Sequence, residues 1–208
     1  MNTVIHAAVR RDLGRFTAAL ESFPVGSEQR AKDLNHAWSH LDHQLYHHHH
    51  SEDTIFWPAL VEVGADASLM TDLGAEHDRM AAAMTGTRTA MSALAADPSA
   101  ANLEQAKAAF AELTTAVESH FAHEERELDP FMIANLQTPP MQRAAKKIRT
   151  AQTPMEAGSY LAWLQDGADA DARAFLSKQI PKPILVLFSR VLGRSYRKGI
   201  APIWATAT

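Results

Sequence analysis

One spacing constrains this chain more than any other: His48-x-x-x-Glu52, repeated as His120-x-x-x-Glu124. On a helix, residues four apart lie on one face, one turn apart. In both copies an acid follows the glutamate (Asp53, Glu125), and a proline stands ten residues after the histidine (Pro58, Pro130). The copies are 72 residues apart. One such pair arises often by chance, but two that share a proline register do not.

Helix periodicity turns both pairs inward. Before the first copy the apolar line is Leu34, Trp38, Leu41 and Leu45, and it continues through His48, Glu52 and Ile55. Before the second it is Leu103, Ala106, Phe110, Leu113 and Val117, and it continues through His120 and Glu124. Both are the apolar stripes of packed helices. Each places an imidazole and a carboxylate where a core residue belongs. A buried carboxylate without a partner costs several kcal/mol, of the order of 2–7 kcal/mol even for a neutral polar group. A metal ion is the economical partner for two carboxylates and several imidazoles.

The remaining helices repeat the design. Residues 2–22 carry the line Val9, Leu13, Phe16 and Leu20, with His6 one step before it. Residues 67–95 carry Met70, Leu73, His77, Met80, Met84 and Met91, so His77 also takes a core position. Turns are expected at 23–27, 63–66 and 97–99. Pro58 should kink or end a second helix over 27–63, and a fourth should run over about 99–135. His6 and His77 are 71 residues apart, His48 and His120 72. Two helix–turn–helix units of one design make an all-α, up-down-up-down four-helix bundle. The four histidines fall at similar heights, toward the end holding the 64–66 connection.

With no cysteine, thiolate ligands, disulfides and iron–sulfur clusters are excluded. The donors left are His, Asp and Glu, which suit iron, manganese or zinc. No signal peptide is expected at the N-terminus, no apolar run reaches transmembrane length, and the expected location is cytoplasmic.

Composition changes at Thr138-Pro139-Pro140. Residues 1–138 hold 9 Lys+Arg against 20 Asp+Glu, and residues 139–208 hold 11 against 4. The expected division is therefore a bundle over 1–138 with the metal site, and a basic helical extension over 139–208. Short helices are expected at 141–150, from Pro154, over 169–179 and over 184–196. Arg190, Arg194, Arg197 and Lys198 read as a surface face. Too few aromatics interleave with them for nucleic-acid binding, so no nucleic-acid partner is expected. Contact of 183–199 with a membrane surface is a second reading. His36, His40, His43, His47 and His50 form a separate stripe on the second helix, read as solvated or as an interface. The oligomeric state is not legible.

The pattern of helix His, then His-x-x-x-Glu, then His, then His-x-x-x-Glu resembles the hemerythrin-like HHE cation-binding domain. The resemblance covers residues 2–135 and implies a four-helix bundle around a non-haem di-iron centre, oxo- or hydroxo-bridged. By matching positions it implies His6, His48, His77 and His120 as terminal ligands, with Glu52 and Glu124 as bridging carboxylates. Manganese or zinc would also fit. The oxygen-carrying members have a second histidine four residues before the third-helix ligand. Here that position is Leu73, so one coordination position is left for a small molecule, for water or for His49 or His123. The functional expectation is a protein that binds or reduces peroxide, dioxygen or nitric oxide. The alternative is an iron or oxygen sensor whose metal occupancy controls the C-terminal extension without turnover.

Overall fold

Pro58 and Pro130 hold the same place after their motifs, yet the chain treats them differently. In the computed structural model, which describes residues 2–205, the second helix does not end at Pro58. Helix α1 spans Asn2–Glu21 and α2 Glu28–Ser51. A π-helical turn, Glu52–Phe56, then leads into α3, Trp57–Glu62. Proline lacks the N–H that an α-helical ladder needs. The wider turn resolves this before the proline is reached: the Trp57 N–H bonds the Glu52 carbonyl, five residues back. Pro58 then sits in the first turn of α3, where its missing donor costs little. Glu52, the motif carboxylate, opens this π turn.

At Pro130 the chain breaks instead. Helix α4 spans Ala67–Ala96 and α5 Ala100–Glu127. After Leu128 a new helix, α6, spans Asp129–Asn135 with Pro130 in its first turn. The expected single helix over 99–135 is therefore two. Helix α7 is Pro139–Ala151, α8 Pro154–Gln165 and α9 Ala170–Gln179. Then come α10, Lys182–Leu187, a second π turn, Phe188–Leu192, α11, Arg194–Gly199, and α12, Ala201–Ala205. Among the described residues there is no strand, and no helix is long and apolar enough to cross a membrane. The chain is an all-α helical bundle with additional C-terminal helices.

The helices start where the sequence supplies caps. Ser27, Asp66 and Ser99 accept hydrogen bonds from backbone N–H groups of the first turns of α2, α4 and α5. At Gly26, φ is +87°, a conformation that favours glycine. Its N–H bonds the Pro98 carbonyl at 2.8 Å, which ties the start of α2 to the α4–α5 turn.

Residues 20–151 form one compact unit; residues 1–19 and 152–208 form the other. These units divide the chain elsewhere than at the composition change near 138. In the first, Leu34, Trp38, Leu41 and Leu45 of α2 are buried, as are Leu73, Met80, Met84 and Met91 of α4 and Phe110, Leu113 and Val117 of α5. The rings of Trp38 and Phe110 meet edge to face at 5.3 Å. Arg88 of α4 grips Asp42 of α2 with both branches of its fork, at 2.9–3.2 Å. Toward the 64–66 connection a separate apolar cluster joins Trp57, Ala59 and Leu60 to Leu73, Leu128, Met141 and Ala144. Met141 and Ala144 explain why α7 belongs to this unit despite its basic composition: its apolar face is used here.

The second unit is held by a buried polar network on α1. Trp163 Nε1–H donates to Asp12 Oδ2 at 2.7 Å, and Arg11 and Arg15 donate to Asp12 Oδ1 at 2.9 and 3.1 Å. Arg15 also donates to Asp166 Oδ2 at 2.9 Å, as does the Tyr196 hydroxyl at 2.7 Å. Burial alone would raise the Asp166 carboxyl. The hydrogen bonds from Arg15 and Tyr196, with the nearby guanidinium charges, outweigh it and hold the group below the usual carboxylate range. Phe16 and Trp204 pack edge to face at 4.9 Å.

Candidate metal centre

The periodicity of α2, α4 and α5 aims four side chains at one point in the unit of residues 20–151. His49, Glu52, His77 and His120 each offer a donor atom, and these atoms all lie within 4.8 Å of one another. All four residues are buried. His49 Nδ1 or Nε2 is among the donors although the apolar line passes through His48. The π turn starts three residues after His49, and the helix face shifts there.

The tautomers follow from the carboxylates behind the rings. His77 Nδ1–H donates to Asp53 Oδ1 at 2.9 Å. His120 Nδ1–H donates to Glu76 Oε2 at 3.1 Å, and His123 Nδ1–H donates to the other oxygen of Glu76 at 2.9 Å. A neutral imidazole that donates from Nδ1 carries its lone pair on Nε2. The two Nε2 atoms of His77 and His120 stand 3.1 Å apart, facing each other. Burial, then the charge of His77, lowers the pKa of His120 and keeps it neutral. If either ring is protonated, one nitrogen donates to the other; with both neutral, the two lone pairs repel unless a cation lies against both.

Glu52 adds the negative charge. Its Oε1 is 3.4 Å from His48 Nε2, and its Oε2 is 3.6 Å from His77 Nε2. That Oε2 is buried and accepts no hydrogen bond. Burial, and next the neighbouring carboxylate of Glu124, push the Glu52 pKa well above the usual range. Both effects disfavour a bare carboxylate, and a bound cation offsets both. Buried neutral imidazoles, an orphaned carboxylate oxygen and a second carboxylate beside it are a donor set that fits a metal ion of intermediate hardness.

His48 and Glu124 stand next to this group, with donor atoms within 4.8 Å of each other. His6 is fully buried on α1, in the other compact unit. Of the two residues weighed for the position left by Leu73, His49 points into the group, while His123 is turned to Glu76. Asp53 and Glu76 act behind the donors. The acid after the first motif signalled Asp53, but nothing in the sequence marked Glu76, which precedes His77 directly and faces α5. Trp57 stacks on His77 with ring centroids 4.4 Å apart and planes at 17°, which fixes the ring plane.

The family described as Hemerythrin HHE cation binding domain matches residues 3–132. No curated protein and no solved structure matches the chain.

Proposed function

Because the chain belongs to the hemerythrin HHE cation-binding family, we propose that its cation is iron, held as a pair, and that the centre binds or reduces a small oxidant: peroxide, dioxygen or nitric oxide. The observation that carries this reading is the facing pair of Nε2 atoms on His77 and His120, with the orphaned oxygen of Glu52 beside them. Two ferrous ions would supply the reducing electrons and an open position for the small molecule.

The chain's own residues do the rest. Glu52 and Glu124 offset the positive charge of an ion pair, and Glu52 reaches from His48 to His77. His77, His120 and His49 serve one side. His48 serves the other, and His6 is assigned with it from its place in the sequence pattern. Asp53 and Glu76 hold the protons of His77 and His120 on Nδ1, which leaves Nε2 to bind. Leu45, Leu73, Met80 and Val117 are fully buried one turn from these residues and keep bulk water out.

The test is metal content per chain on protein purified without a histidine tag, with optical spectra before and after peroxide. Two irons and a ferric spectrum that peroxide perturbs support the reading. Retention of full metal content by both His48→Ala and Glu124→Ala would overturn it. Repeated peroxide turnover separates reduction from sensing, in which occupancy alone would matter.

A further inference from the structure

Five histidines of α2 stand outside the buried group. His36, His40, His43, His47 and His50 succeed one another at steps of 4, 3, 4 and 3, so they share one stripe. His40 is half-buried and the other four are exposed. The rings of His43 and His47 meet at a centroid distance of 4.2 Å. Tyr46 stacks on His50 at 5.6 Å, planes 7° apart, and sets its edge against His47 at 5.5 Å. That packing restricts the rings at the end of the stripe.

We propose that His43 and His47 form an exposed chelating site for a borderline divalent cation (Cu2+, Ni2+ or Zn2+), separate from the buried centre. Residues i and i+4 present their side chains one above the other. Bonds of about 2.0–2.1 Å from an ion to imidazole nitrogen place two such nitrogens roughly 3 Å apart. Rings with centroids 4.2 Å apart reach that spacing by side-chain rotation, with the helix unchanged.

The chemistry of the stripe selects the ion. Asp42, the carboxylate between His40 and His43 in sequence, is engaged with the Arg88 fork. The donors at the pair are therefore imidazole nitrogens. These suit copper, nickel and zinc, whereas magnesium, calcium and manganese prefer oxygen. Two protein donors leave the other positions to water, so the ion exchanges readily. His36 and His40 repeat the same spacing two turns back, and His50 stands one turn on, so an ion that leaves one pair meets further imidazoles.

The experiment is equilibrium dialysis of the full, untagged chain against Ni2+ with Mg2+ in excess, read as nickel per chain. Wild type should take up at least one nickel more than His43→Gln/His47→Gln, whose affinity should fall at least tenfold. His48→Gln/Glu52→Gln should keep the uptake, which separates this site from failure of the buried one. Cu2+ should bind more tightly than Ni2+. Its electron paramagnetic resonance spectrum should show two coupled nitrogens in wild type and one fewer in His43→Gln. Equal nickel affinity in wild type and His43→Gln/His47→Gln, or loss of nickel only in the His48→Gln/Glu52→Gln protein, would overturn the proposal.

Discussion

Nε2 of His77 and Nε2 of His120 face each other at 3.1 Å, and each ring is held from behind by a carboxylate on its Nδ1. Asp53 and Glu76 thus decide that two lone pairs converge in a buried space. With both rings neutral, that arrangement is unfavourable unless a cation occupies the point of convergence.

Glu52→Gln should change the sign of its effect with metal. Without metal, the substitution removes a carboxyl group whose ionised form is penalised by burial and by Glu124, and supplies an amide N–H that Glu124 can accept. The metal-free variant should be more stable than metal-free wild type by about 1–3 kcal/mol. With iron present the order should reverse, because wild type gains binding free energy, about 2.7 kcal/mol at a hundredfold excess over Kd. Thermal unfolding with chelator and with Fe2+ reads both. A variant that is less stable under both conditions would rule out charge burial as the cost that the metal offsets.

Glu76→Ala should weaken metal binding more than Asp53→Ala. Glu76 holds both His120 and His123 and its side chain is 13% exposed, whereas Asp53 holds His77 alone and is 45% exposed. Loss of an orienting carboxylate costs about 10–100-fold in affinity. The Glu76 variant should fall in that range and the Asp53 variant below it, by competition with a chromogenic chelator. The helical circular dichroism should not change in either.

Gly158→Ala and Gly86→Ala should move stability in opposite directions. A Cβ at Gly158 would stand 2.5 Å from Leu192 Cβ and 2.8 Å from the Phe188 carbonyl oxygen, so α8 could not keep its approach to the second π turn. Such overpacking costs about 1–3 kcal/mol. Gly86 lies in α4 with nothing within 4 Å of its added carbon. There alanine should add about 0.5–1 kcal/mol through helix propensity. Urea midpoints of the two variants measure both.

Asp166→Asn should cost about 1–2 kcal/mol at neutral pH through its bonds to Arg15 and Tyr196. The Asp166 carboxyl is held below its unfolded value, so its contribution is complete above that value, about 3.9. It is lost as pH falls through the lower, folded value. The gap between wild type and variant should therefore be constant from pH 7 to about 5 and close below about 4. A gap that widens on acidification would contradict the ion pair as its source.

Much of this was legible without coordinates. The buried lines of α2, α4 and α5 follow from a period of 3.6 residues and from the free energy of keeping apolar groups from water, both local properties of sequence. The same periodicity placed His77, His120, Glu52 and Glu124 inward, and the absence of cysteine restricted the donors. The two motif prolines did not decode alike. Which of them yields a π turn and which a break depends on what packs around them: Trp57 and Leu60 join a cluster with Leu73, Leu128, Met141 and Ala144. Tertiary structure also decided that His49 turns inward, that Glu76 clamps two histidines of another helix, and that Asp12 and Asp166 of distant segments meet the same arginine. The contacts of Glu76 with His120 and His123 and of Arg15 with Asp166 join residues 44 to 151 positions apart. Periodicity says which face of a helix is buried, but only the packing of one helix on another says which atoms meet there.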